Sequence, residues 1–435
     1  MNLLNGLGKT VTHFFPKLRE WIASLDDTRR QELCTYDRRF LTWMGLLVFV
    51  LKLGSRRRIG FELNTAEALA NLNRLSGTKQ ETVAHHDTVD HFLGHVHPTE
   101  FEIKVRRNAV QRLIRMKALD HARLFGHFLI VLDGTGMLVF HKRHCEHCLQ
   151  QTVNGKTIYY HHVLEAKLVT PEGIVISVGS EFIENADPHA TKQDCELKAF
   201  VRLARRLKRD FPQLLICLLL DGLYANGTVM DLCRQNHWKF IITFKEGSLP
   251  AVWQDYQALL RLCPQNRKIV QTADGRRQEF AWVRDLSYVD DQGRQQTFHA
   301  FQCREENADG QQFFAWMTNF TVRAENVSAL ANRGGRLRWK IENEGFNIQK
   351  NGGFGLEHAY SYGNWQIKNL YILMQLAHLL LQLLERGHLL AADCRQLYGS
   401  LQIMGRRLSE ALRNYLLPAE ALDPAVRIRV RLDSS

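Results

Sequence analysis

The chain has 435 residues, 45% of them hydrophobic, and carries 57 lysines and arginines against 45 aspartates and glutamates, a net charge of +12 with a pI near 9.3. These proportions exclude a disordered or fibrous chain, leave room for two or three domains, and favour a polyanionic partner, nucleic acid before an anionic membrane surface. The apolar run 44–51 falls far short of the roughly 20 residues a membrane helix needs, and Lys9, His13, Lys17 and Arg19 break any signal-peptide pattern. The expectation is a cytoplasmic protein with no membrane partner. Nine cysteines, scattered singly apart from Cys145 and Cys148, fit a reducing compartment.

Residues 1–120 alternate apolar and basic groups at helical spacing. A buried helix is predicted over 36–53, followed by the basic triplet Arg56, Arg57 and Arg58, with further helices over 66–75 and 82–95. Three short helices beside clustered arginines suit a DNA-binding bundle of helix-turn-helix type, and a helical packing domain with a solvated basic surface fits the same pattern. His85, His86, His91, His95 and His97 have no cysteine among them and no ligand spacing, so they read as surface or core residues.

From 121 to 245 the pattern becomes α/β. Strands are predicted over 127–132, 159–170 and 173–179, the first ending at Asp133-Gly134-Thr135-Gly136. A helix over 191–209 places Leu197, Phe200, Val201, Ala204 and Leu207 on one face; a strand over 214–220 ends at Asp221, and a helix over 228–236 leads to a strand over 239–244. Continuous apolar runs of this kind belong to central strands of a mixed sheet flanked by helices. Residues 246–320 read as a β-rich insertion, with a hairpin of 279–286 and 295–303 and a further strand over 312–320. Helices return over 321–390, at 324–333, 336–350 and 366–386. The segment 391–435 is a C-terminal helical piece and a basic tail, in which Arg427, Arg429 and Arg431 suit an edge strand or an arm on nucleic acid.

The acids carry the chemistry. Asp133, Asp221 and a glutamate of 336–350 come from distant parts of the chain, and three such carboxylates can hold two Mg²⁺ ions, or Mn²⁺ in their place, about 3.5 to 4 Å apart for in-line attack on phosphate. By spacing alone either aspartate equally suits a turn or a helix cap. Glu342 and Glu344 lie about 200° apart on a helix at roughly 100° per residue, so only one can face the metals. Glu344 falls in the apolar stripe of Leu337, Ile341 and Ile348, while Glu342 shares a polar face with Arg338, Gly345 and Gln349. A second cluster, His141, His144, Cys145, His147 and Cys148 with His161 and His162 further on, offers a Cys-x-x-Cys pair. Cys145 and Cys148 make half of a structural Zn²⁺ site by spacing, and the alternative is a basic, histidine-rich hairpin, which is the preferred reading.

The pieces Leu-Asp-Gly-Thr-Gly at 132–136, Leu-Leu-Asp-Gly-Leu-Tyr-Ala-Asn at 219–226 and Arg-Trp-Lys-Ile-Glu at 338–342 resemble the DDE transposases of bacterial insertion sequences, over about 125–385. The resemblance implies a ribonuclease-H-like fold with a β-strand insertion before the last acid, and Asp133, Asp221 and Glu342 as the catalytic, metal-binding triad. It implies nicking of transposon ends and transfer of the 3′-hydroxyl strand into target DNA. The implied partners are double-stranded inverted repeats and target DNA, held by a dimer at the bacterial nucleoid. Register with the family selects Glu342 over Glu344. Family members often carry a tyrosine three residues before the arginine and a lysine seven after the glutamate; here those places hold Gly335 and Gln349, with Arg338 kept and Lys350 one residue late. Candidate DNA contacts are Arg338, Lys350, Lys245, Arg56, Arg57 and Arg58. Rival readings are a ribonuclease-H-like nuclease or resolvase without strand transfer, and an inactive DNA-binding protein derived from a transposase, which the presence of all three acids disfavours.

Overall fold

The computed structural model describes residues 2–185, 193–307, 310–387, 394–426 and 432; Arg427, Arg429 and Arg431 lie outside them. The N-terminal part is helical, with α1 Leu3–Phe14, α2 Arg38–Val50, α3 Ala66–Ser76 and α4 His86–Leu93. Each begins where a side chain satisfies the free N–H groups of the first turn: Asn2, Asp37, Thr65 and His85 accept from Leu4, Arg39, Ala68 and Asp87 respectively. His97 caps the next turn in the same way, through Thr99. His85 and His97 thus have local structural work, and ligand atoms of His85, His86 and Asp87 also lie within 4.8 Å of one another.

The sheet follows: β1 Phe128–Phe140, β2 Leu149–Val153, β3 Lys156–Val169 and β4 Val175–Ile183, then α5 Glu196–Asp210, β5 Ile216–Leu220, α6 Gly227–Gln235, β6 Lys239–Thr243 and α7 Pro250–Leu262. β7 Arg267–Gln271, β8 Arg277–Val289, β9 Gln295–Asn307 and β10 Gly310–Thr318 complete it. β3 pairs antiparallel with β1 and β4, while β1, β5 and β6 run parallel. The spatial order β4-β3-β1-β5-β6, with α5 and α6 in the connections, is the ribonuclease-H-like order. β10 pairs antiparallel with β6, and β9, β8 and β7 follow, so the inserted strands extend the same ten-stranded sheet.

Two local differences from the sequence reading matter for the site. β1 does not end at Asp133 but runs through it, with Gly134 and Gly136 in extended backbone and a register shift only between Gly136 and Leu138. Residues 336–350 form three successive turns: a 3₁₀ turn Gly335–Trp339, a wider π turn Ile341–Asn347 and an α turn Ile348–Asn351.

The chain then enters α8 Asn364–Arg386 and, later, α9 Leu401–Asn414. α8 is long and apolar enough to cross a membrane, yet 94% of its apolar stretch is covered by the rest of the chain. It packs along α2 and also meets α1, α4 and β4, so the N-terminal helices and the mixed sheet share one apolar core through it. Several polar groups on α8 are paired inside that core. The Lys167 ammonium, fully buried on β3 and lowered by burial to about 8, donates to Gln375 Oε1 at 2.8 Å, and Tyr371 donates to Glu165 at 2.9 Å. Gln349 donates to the same Gln375 oxygen at 2.7 Å and is fully buried. It therefore belongs to the core and not to a polar face turned to DNA.

Candidate active site

Two neighbouring parallel strands bring the aspartates level. The register Val131↔Leu219 between β1 and β5, continued by two residues on each strand, sets Asp133 beside Asp221. Asp133 Oδ1 accepts from the Gly134 N–H at 2.9 Å. Asp221, just past β5, caps the 3₁₀ turn Gly222–Tyr224 by accepting from the Leu223 N–H at 2.9 Å. Capping uses Oδ1, so the cap and a metal-binding role are compatible.

The third acid arrives from the 336–350 stretch. Arg338 is buried, holds its Nη1 3.3 Å from Asp133 Oδ2, and lies 4.3 Å over the ring of Trp339. Burial is the main cause that pushes the Asp133 carboxyl up to about 6; Arg338 opposes it, and the charges of Glu342 and Asp221 add to it. Asp133 thus feels both other acids. Glu344 does not enter this field. It pairs with Lys340 at 2.6 Å and lies against Gly173, so the two glutamates are separated as their spacing requires.

A fourth carboxylate, missed in the sequence, stands beside the cluster. Glu196, at the start of α5, accepts from His162 Nε2 at 3.1 Å and from the Tyr224 hydroxyl at 3.3 Å. A Cβ on Gly134 would lie 2.2 Å from Glu196 Oε1 and 2.5 Å from His162 Nε2. Gly134 is glycine because of this close approach, not because of a turn.

An open groove of about 870 Å³ leads from Asp221 past Lys245, Trp253, Phe313 and Trp316 to Arg338 and Trp339, whose indole is 50% exposed. Lys245 and Arg338 line it. The other basic candidates are dispersed. Arg56 is turned inward: its guanidinium donates to the carbonyls of His86, at 3.0 Å, and Tyr360, and lies 3.2 Å from Asp90. It ties the N-terminal helices to the segment before α8. Arg57 is exposed, Arg58 is exposed but pairs with Glu62 at 2.8 Å, and Lys350 pairs with Glu357 at 2.8 Å. Cys145 and Cys148 lie together, and His144 and His161 join them.

No family model matches the chain, and no curated protein matches it. Among solved structures it is similar to a piggyBac transposase in a synaptic complex with hairpin DNA, with a TM-score of 0.42 and 10% sequence identity, covering 94% of this chain and 80% of that one. At that score the likeness decides nothing about function.

Proposed function

We propose that the protein is a metal-dependent DNA transposase of the DDE type, which nicks transposon ends and joins the 3′-hydroxyl strand to target DNA. The observation that carries this reading is the meeting of Asp133, Asp221 and Glu342, from three distant stretches, in one field strong enough to contribute to holding Asp133 near 6. Their donors are all carboxylate oxygens, the ligand set a hard divalent cation takes, and the mutual repulsion is what such a cation relieves. Asp133, Asp221 and Glu342 would therefore hold Mg²⁺ or Mn²⁺. When bound, such ions supply activation of a water or sugar hydroxyl and charge stabilisation at the leaving oxygen.

The chain's own groups do the rest. Arg338, fixed by Asp133 and Trp339, presents its guanidinium to the phosphate at the reacting bond. Lys245 and the aromatic wall of the groove receive the strand end, through charge and stacking. The +12 net charge supplies affinity for the backbone that does not depend on sequence. The same reading places a dimer on paired transposon ends in the bacterial cytoplasm.

The test uses the full chain with duplexes carrying the inverted repeats that flank its gene, a supercoiled target and Mg²⁺. Nicked ends and joined products are expected, with Asp133→Asn and Asp221→Asn binding but not cutting. Cleavage that survives either change overturns the site. Cleavage without joined products indicates a nuclease or resolvase, and binding with neither indicates an inactive DNA-binding derivative.

A further inference from the structure

The connection between β1 and β2 brings three soft or borderline donors against a fourth on β3. Cys145 Sγ lies 3.4 Å from Cys148 Sγ, and each sulfur lies 3.5 Å from His161 Nε2. A ring nitrogen of His144 completes the group, with all four donor atoms within 4.8 Å of one another. Both cysteines are free thiols. Cys148 and His161 are buried, at 2% and 5% exposure, and the Nδ1 of His144 is buried without a hydrogen-bond partner. His144 is held in place by stacking on Phe140, ring centroids 4.6 Å apart.

We infer that His144, Cys145, Cys148 and His161 form a structural zinc site that clamps the 141–148 loop onto β3. The spacings fit a metal. Tetrahedral zinc, with Zn–S near 2.3 Å and Zn–N near 2.0–2.1 Å, sets ligand-to-ligand edges of about 3.6 Å for S···N and about 3.8 Å for S···S. The two S···N distances of 3.5 Å match, and the S···S distance of 3.4 Å is a few tenths short. It is far from the roughly 2.05 Å of a disulfide. Two thiolates and two imidazoles select zinc over the hard cations that carboxylates bind. Four protein ligands close the shell, so the site is structural and not catalytic.

Other ties hold the loop as well: Arg143 donates to the carbonyls of Cys145 and Glu146, the Cys148 N–H donates to the Cys145 carbonyl, and Asn185 donates to the Cys148 carbonyl at 3.2 Å, while the side chains of His141, Lys142 and Arg143 are exposed. On β3 the next residue is His162, whose side chain points to the opposite face and donates to Glu196 beside Asp133. The clamp therefore anchors β3 one residue from the groups that border the carboxylate cluster. This inference stands independently of whether the chain is a transposase.

The test is metal analysis of the full chain purified without a histidine tag and in chelator-treated buffer. Roughly one zinc per chain is expected, falling below about a tenth in the Cys145→Ser/Cys148→Ser double variant. If that variant fails to fold, cobalt exchanged into the wild-type protein carries the decision, through the visible bands of a tetrahedral ion and thiolate charge-transfer absorption in the near ultraviolet. Wild-type protein with no bound zinc, full zinc in the double variant, octahedral cobalt, or a Cys145–Cys148 disulfide found by thiol titration and mass would each overturn the assignment.

Discussion

The Arg338 guanidinium stands 3.3 Å from the Asp133 carboxylate, one turn before Glu342, and is the positive charge that opposes the mutual repulsion of the acids at Asp133. On the proposed reading, loss of that charge acts in two ways: the phosphate loses a donor, and the Asp133 carboxyl rises further. Arg338→Ala is expected to slow single-turnover cleavage on the order of 10²–10³-fold, the usual cost of an oriented donor at a developing charge. It should also move the acid limb of the pH profile upward. Arg338→Lys restores charge without the planar fork, so it should recover the pH limb better than the rate. An unmoved acid limb in Arg338→Ala would break the link between the pair and the cluster.

The raised Asp133 gives a stability consequence with a definite sign. Its folded value of about 6 lies above the roughly 3.9 of an unfolded chain, so the folded protein binds this proton more tightly. Ionised Asp133 therefore costs stability at pH 7, and the cost fades as pH falls through 6 towards 4. Asp133→Asn should be more stable than wild type by on the order of 1–3 kcal/mol at pH 7 without divalent metal, and no more stable near pH 4. Urea unfolding at the two pH values measures this. Because ligation requires the carboxylate, the Mg²⁺ concentration for half-maximal cleavage should rise below pH 6, by up to about tenfold per unit, and level off above it.

The two glutamates should separate sharply. Glu342→Gln removes a charge that Asp133 feels and is expected to abolish cleavage while leaving DNA binding in place. Glu344 serves Lys340 across one turn, so Glu344→Gln should keep activity within about tenfold of wild type, in line with the small worth of a partly exposed ion pair. An active Glu342→Gln beside a dead Glu344→Gln would reverse the roles.

What the sequence reveals here depends on how local its signals are. The continuous apolar run before Asp221 identifies β5 because a central parallel strand is covered on both faces, whereas the face of α5 is legible only in part: Phe200, Ala204 and Leu207 are buried, but Leu197 is exposed and Ala199 and Leu203 complete the buried face. Asp133 is harder, since Gly134 and Gly136 imitate a turn while actually lying inside β1; the approach of Glu196 from α5 and His162 from β3 explains Gly134. β2 and β7 are short and largely exposed, so neither leaves an apolar pattern. Three of the zinc-site residues sit within five positions of sequence, but the choice of His161 over His162 requires knowing which face of β3 each occupies. The inward turn of Arg56 is equally hidden, because its acceptors on residues 86, 90 and 360 are remote in sequence.

The contact at Gly134 supplies a test that separates packing from chemistry. Alanine at this position places its Cβ against Glu196 Oε1 and His162 Nε2, and neither can move freely: His162 sits on a paired strand, and Glu196 also accepts from Tyr224. Gly134→Ala should destabilise the fold by about 1–3 kcal/mol, the range for overpacking a filled site. It should also lower cleavage, because Asp133 accepts from the Gly134 N–H and moves with it. Glu196→Ala opens the space that the methyl group needs. If sterics are the whole cause, the Gly134→Ala/Glu196→Ala double variant will regain at least about 1 kcal/mol over the sum of the single changes, a coupling well above that of independent sites. Additive stabilities would show that Glu196 is not what makes residue 134 intolerant. Restored stability with cleavage still lost would assign Glu196 a share in the chemistry beside the three acids.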